Sequence, residues 1–188
     1  MSVAIMQLIE QGKLNLEDNA AIYYPSIDNL KVINDLSEGI DGSTVDVNNP
    51  ITIKHLLTHT SGLSHGLEEN LFDQQLFKLM YNDLFDPAEY NNLEERVDKL
   101  MQVPLIGQPG EQWYYSAAPD ILALILQEIT GQSIDKYLRE NIDKYKTEIS
   151  KRKLWSDFGG SREGNETDKE TAIREGFEES SGFLGNEN

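Results

Sequence analysis

Apolar positions along the chain fall into a series of helical stripes broken by turn residues. Val3 to Gln11 is almost wholly apolar and is closed by Gly12, the usual residue just past a helix end. Leu14, Leu16, Ile22 and Tyr23 follow in a turn-rich stretch stopped by Pro25, and residues 28–50 read as a polar surface excursion carrying Gly39, Gly42 and Asn48-Asn49-Pro50. Thr52 is placed to cap a short helix through Leu57 that ends at Ser61-Gly62. Leu71, Phe72, Leu76, Leu79 and Met80 mark another helical stripe. Asp86-Pro87 reads as a cap and first-turn proline leading into Leu93, Val97, Leu100 and Met101. Pro104 to Gly110 is loop and Trp113-Tyr114-Tyr115 a short extended piece. Pro119 opens a helix that buries Ile121, Leu122, Leu124, Ile125 and Ile129 and closes at Gly131. Ser133 caps a further helix running into a charged stretch near 144–153.

Beyond that stretch the pattern changes. Leu154 to Phe158 alternates like a strand, Gly159-Gly160 and a polar loop follow, and a glutamate-rich helix spans about 167–180. No internal repeat is visible. The pattern predicts an α+β chain, predominantly helical, with one unit over 1–150 and a second over 151–188.

A chain of 188 residues can bury one good-sized core or two small ones. The net charge of −17 repels phosphate backbones and anionic lipid, which argues against nucleic-acid or membrane-surface partners. There is no cysteine, so disulfides, thiolate metal sites and a thiol nucleophile are excluded. No apolar run approaches the roughly 18 residues that span a bilayer. The apolar start, Met1-Ser2-Val3-Ala4-Ile5-Met6, lacks the basic flank and cleavage site of a signal peptide. It reads as the inside of a helix with no capping residue ahead of it, and the expectation is that a beginning is missing.

Three segments carry a family likeness. Ser2 to Asp18 (SVAIMQLIEQGKLNLED), Ile51 to Leu63 (ITIKHLLTHTSGL) and Pro109 to Leu122 (PGEQWYYSAAPDIL) together resemble the serine β-lactamase, penicillin-binding-protein and esterase superfamily, in order and spacing, over residues 2 to about 142. The resemblance implies the helical region of a β-lactamase/transpeptidase-like fold and acyl-enzyme chemistry on a small-molecule ester, β-lactam or peptide-like substrate, without a cofactor. In that chemistry a serine attacks an acyl carbon while a lysine one helical turn on, in S-x-x-K, keeps its hydroxyl polarised. A tyrosine assists proton transfer, and a K-T-G-like strand donates to the oxyanion.

By resemblance Tyr115 aligns with that tyrosine and Ser116 follows it, both as vestigial catalytic positions. Ala117 stands where many members have asparagine, which resembles the esterase-like branch. The S-x-x-K is expected a few residues ahead of Ser2, and the K-T-G-like strand past the end of the resemblance. The strings Ser133–Lys136 and Ser150–Lys153 also fit S-x-x-K, but about one chance match is expected, and Ser133 is better explained as a helix cap. His55 and His59, four apart, could share a helix face as metal ligands, but no third ligand stands at a useful spacing. Because the family's central sheet comes from other segments, marginal stability is expected.

A second likeness lies near the end. Gly160 to Glu166 with Arg174-Glu175-Gly176-Phe177-Glu178-Glu179 resembles the Nudix box, G-x5-E-x7-R-E-U-x-E-E-x-G-U. Glu175, Glu178 and Glu179 fall at i, i+3 and i+4 on one helix face, an oxygen-rich set suited to Mg²⁺, with Gly159 letting backbone approach the metal and Arg174 orienting a glutamate. Gly176 replaces an apolar residue, and Ser181 holds the later glycine position. The expectation is a hydrolase-derived chain, a fragment or fusion that holds parts of two sites and turns nothing over as it stands. The alternatives are a truncated Mg²⁺-dependent pyrophosphohydrolase and a non-catalytic binding module.

Overall fold

The computed structural model describes residues 1–83, 86–87 and 90–143 and divides the chain into two compact units, Met1–Ile134 and Asp135–Asn188. Within the first unit, α1 (Ser2–Glu10), α2 (Ile53–Leu57), α3 (Leu71–Met80), α4 (Leu93–Leu100) and α5 (Ala118–Thr130) surround one core. The helix α5 is its axis, because α1, α2 and α4 all pack on it. Its burial extends past a single stripe: Ala118 and every residue from Ile121 to Leu126 are buried, while Ile129 is only half-buried. Gly131, in the left-handed conformation at φ 63°, ends the helix by donating to the Gln127 carbonyl.

Helix α1 buries Ala4, Ile5 and Leu8 and leaves Val3 and Met6 exposed, so the apolar run is two-faced and not wholly interior. Its end follows the expected glycine stop. Gly12 at φ 68° donates to the Ile9 carbonyl and Lys13 donates to that of Leu8, which satisfies the last carbonyls of the helix. Helix α2 is also capped as expected, with Thr52 Oγ1 accepting from the His55 amide at 3.2 Å. The His55 ring closes the pair by accepting the Thr52 amide on Nδ1 at 3.3 Å.

Two expectations fail locally. Residues 28–50 are not wholly surface: β1 (Val32–Ile33) pairs antiparallel with β2 (Thr44–Val45), and Leu30, Val32 and Ile33 are buried. Ile33 donates to the Leu105 carbonyl and Leu105 to that of Lys31, so this hairpin anchors the segment that leads towards Tyr115. Asp86-Pro87 does not cap a helix. It forms β4 (Asp86–Pro87) against β3 (Tyr81–Asp83), and α4 begins at Leu93 under Asn92, whose side chain accepts from the Glu95 amide at 2.8 Å. Glu95 in turn accepts from the amide of Asn91, the residue before the cap, at 2.9 Å, so the helix start is fixed here and not at the earlier aspartate.

Helix α6 (Ile134–Leu138) starts directly after Ser133 and runs on as a π-helical turn over Arg139–Asp143. The notional boundary near 150, the string Ser150–Lys153, and the Nudix-like residues Gly159, Glu175, Glu178 and Glu179 all lie outside the described residues. No described helix is long and apolar enough to cross a membrane.

Candidate active site

After α2 the chain turns sharply. His59 takes the left-handed conformation at φ 55°, the one positive-φ residue other than glycine among those described. Such a backbone is uncommon for a residue bearing a Cβ, and histidine is among the side chains enriched there. The turn lets the loop lie against the segment entering α5, and three backbone hydrogen bonds lace them together. Ile106 donates to Gly62 at 2.7 Å, Gly110 to Thr60 at 2.7 Å, and Tyr114 to His59 at 2.8 Å. Gly62 is obligatory here, since a Cβ on it would stand 2.1 Å from the Gly107 carbonyl oxygen.

This lacing sets out an aromatic group at the surface. Tyr115 is 56% exposed and Trp113 64% exposed, with ring centroids 6.3 Å apart and nearly parallel. His59 lies 5.1 Å from the Tyr115 ring, and His65 meets it edge-on at 4.8 Å. Trp113 also meets His59 edge-on at 6.2 Å. Ser116, by contrast, is buried, and its Oγ shares a 3.1 Å hydrogen bond with His59 Nδ1. Tyr115 is therefore open to solvent, whereas Ser116 faces inward and anchors a ring.

Burial holds the His59 imidazole below its usual pKa, and the neighbouring His65 adds to the effect. His65 is lowered by burial too, partly offset by the charges of Asp73 and Glu68. Around neutral pH both rings are therefore uncharged, and either can accept or donate a hydrogen bond according to its tautomer.

His65 sits on a loop fixed from beneath. Ser64 Oγ, buried, donates to the buried Asp73 carboxylate on α3 and accepts from the Gly66 amide at 3.1 Å. Asn70 Nδ2 donates to the other Asp73 oxygen at 2.5 Å. Sequence reasoning missed His65, Ser64 and Asp73. The only linear trace was the S-H-G following the T-H-T-S-G-L string, and nothing in the pattern joined it to an aspartate eight residues further on.

The two histidines first compared as metal ligands are separated by role. His55 is held in the α2 cap with Nδ1 accepting, so its proton resides on Nε2, while His59 turns away towards Ser116. Among the described residues no three or more His, Asp or Glu side chains are placed to hold a metal ion. A separate cleft of about 600 Å³ is bordered by Glu17, Asn19, Thr52, His55 and Glu111, and Tyr115 is not among its lining residues.

With this geometry in hand, comparison with known proteins gives the class. The chain belongs to the Beta-lactamase family, whose match covers residues 1–144. It is 31% identical over 147 residues to "Acyltransferase calJ" of Penicillium decumbens, covering 75% of this chain and 32% of that protein. It is 31% identical over 137 residues to "Esterase EstB" of Burkholderia gladioli, covering 71% and 31%. Among solved structures, EstCE1, described as a hydrolase with promiscuous acyltransferase activity, superposes with TM-score 0.57 at 27% identity, covering 76% of this chain and 34% of that one. Unliganded simvastatin synthase (LovD) from Aspergillus terreus gives a TM-score of 0.55 at 26% identity, with 76% and 34% covered. The chain thus spans about a third of the length of the curated relatives it matches.

Proposed function

We propose that residues 1–150 form the tyrosine-bearing part of an acyl-transferring serine hydrolase site that acts on small esters. The observation that carries this reading is Tyr115, standing exposed beside the imidazoles of His59 and His65 with the backbone on either side of it fixed. The names of the acyltransferase and esterase relatives support the reaction class. Ala117, in the place of the family's asparagine, supports an ester over a lactam.

In this mechanism a serine from an S-x-x-K pair upstream of Ser2 attacks the ester carbonyl. The Tyr115 hydroxyl relays the serine proton towards the departing alcohol and later helps water or a second alcohol discharge the acyl group. A burst is expected of a chain that carries this serine and lysine together with Tyr115.

The experiment compares burst kinetics on an activated ester for two chains. One is the 188-residue chain, and the other is the same chain extended at its N-terminus by a segment that carries an S-x-x-K pair. A burst only in the longer chain, removed by Tyr115→Phe, is the expected result. A burst that survives Tyr115→Phe overturns the reading.

A further inference from the structure

A single residue grips the chain on both sides of Tyr115. The His59 carbonyl accepts the amide of Tyr114, at 2.8 Å, and the His59 ring bonds the hydroxyl of Ser116, at 3.1 Å. Both contacts come from one residue whose backbone is left-handed at φ 55°. An L-residue held there is strained and persists where surrounding contacts over-determine it. The buried Ser116 hydroxyl supplies one such contact, since leaving it without its ring partner would strand a polar group in the core.

The aromatic contact is a consequence of this bracket. With residues 114 and 116 fixed, the side chain between them projects outward, where its ring meets His59 at 5.1 Å and His65 at 4.8 Å.

We propose that His59 is a positioning residue whose backbone turn and ring together set the direction of the Tyr115 phenol. This rests on the reading of Tyr115 as the proton-transferring tyrosine, but its test does not require turnover. Two features of the His59 side chain matter, a tolerance of the left-handed backbone and a nitrogen that reaches Ser116. Asparagine shares both. Alanine has neither.

The chain has three histidines, His55, His59 and His65, so their ring protons can be resolved one by one by NMR in the full 188-residue chain. The reporter is the His65 ring proton signal, displaced by the ring current of the Tyr115 edge contact. Tyr115→Leu removes that ring and defines complete loss of the displacement. His59→Ala is expected to give the same loss, and His59→Asn to retain most of the displacement. A His65 signal unchanged in His59→Ala overturns the proposal, as does its complete loss in His59→Asn.

Should His59→Ala fail to fold, Ser116→Ala removes only the ring anchor and is expected to move the His65 signal in the direction of Tyr115→Leu. No movement in a folded Ser116→Ala chain overturns the proposal. Failure of the underlying reading shows itself separately, as a burst that survives Tyr115→Phe while the His65 displacement still depends on His59.

Discussion

Arg96 on α4 donates from Nε to the Asp120 carboxylate in the first turn of α5 at 3.0 Å, and both side chains are largely shielded, at 15% and 34% exposure. The same guanidinium donates from Nη1 to the Met80 carbonyl at 3.0 Å, where α3 ends. It also lies over the rings of Tyr81 and Tyr90, at 5.4 and 5.8 Å from their centroids. One side chain therefore ties three helices together, through a planar fork and a stacking face that lysine lacks.

Arg96→Ala is expected to destabilise the chain by about 2 kcal/mol, the loss of charge-assisted hydrogen bonds in a partly shielded place. Arg96→Lys keeps the charge but not the fork, and should recover less than half of that. Urea unfolding followed by circular dichroism checks both variants. The midpoint should fall with the slope unchanged, and a lowered slope instead would mean that the compactness of one state has altered.

Tyr115→Phe should separate activity from stability. The ring packing is kept and the hydroxyl is on an exposed side chain, so the unfolding free energy should stay within about 0.5 kcal/mol of the parent. In a chain that carries the serine–lysine pair, ester turnover should fall by about 100-fold or more, the contribution expected of a positioned proton-transfer group. Steady-state kinetics on an activated ester, run beside a thermal melt, reads both. A loss of stability matching the loss of rate would demote Tyr115 to a packing residue.

The helices were legible because their evidence is local. The Gly12 and Gly131 stops, the Thr52 cap and the apolar stripes of α3 and α5 each declare themselves within a few residues. The hairpin over 32–45 was not legible, since β1 and β2 are two residues each and their burial depends on Leu105, some seventy positions away. Asp86-Pro87 misled because cap chemistry at one position says nothing of a better cap six residues on, at Asn92. In the site, the likeness singled out Tyr115 directly. The rings that surround Tyr115, those of His59 and His65, reach it only after the loop folds back over about 50 residues of chain. Contacts of that kind leave no periodicity to read.

Ser61 gives a prediction of opposite sign. It is fully buried, and its hydroxyl has no hydrogen-bond partner among the described residues. An unsatisfied buried hydroxyl costs roughly 1–3 kcal/mol, so Ser61→Ala should raise stability by about 1 kcal/mol. A rise in melting temperature is the expected outcome, and a clear fall would reveal a partner for that hydroxyl.

Acid should weaken the fold in two separate steps. His55, His59 and His65 are all lowered from the ordinary imidazole value of 6.5, chiefly by burial. With folded values below the unfolded one, the unfolded chain takes up more protons just below pH 6.5, so stability is full above that pH and is lost as pH falls through the folded values. Asp18 is lowered from 3.8, first by the Tyr23 hydroxyl that donates to it, so its contribution is kept above 3.8 and lost only at lower pH. Urea midpoints between pH 7.5 and 5 should therefore fall, and His59→Asn should flatten that fall without touching the lower step. An unchanged slope in that variant would remove His59 from the linkage.

Two glycines that share a positive φ separate strain from collision. Gly12 at φ 68° has nothing within 4 Å of where a Cβ would stand, whereas at Gly62, φ 85°, that atom would be 2.1 Å from the Gly107 carbonyl oxygen. Alanine at position 12 meets only the left-handed penalty, about 1–2 kcal/mol. Alanine at position 62 adds a backbone collision that no side-chain rotation relieves, and the total should exceed about 3 kcal/mol. It should also break the hydrogen bond from Ile106 to the Gly62 carbonyl, which helps lace the His59 loop to the Tyr115 segment. Hydrogen exchange distinguishes the two. Gly12→Ala should speed exchange at the amides of Gly12 and Lys13 alone, while Gly62→Ala should expose Ile106, Gly110 and Tyr114 together. Equal costs for the two variants would mean that the loop yields to Gly107 more easily than its three hydrogen bonds imply.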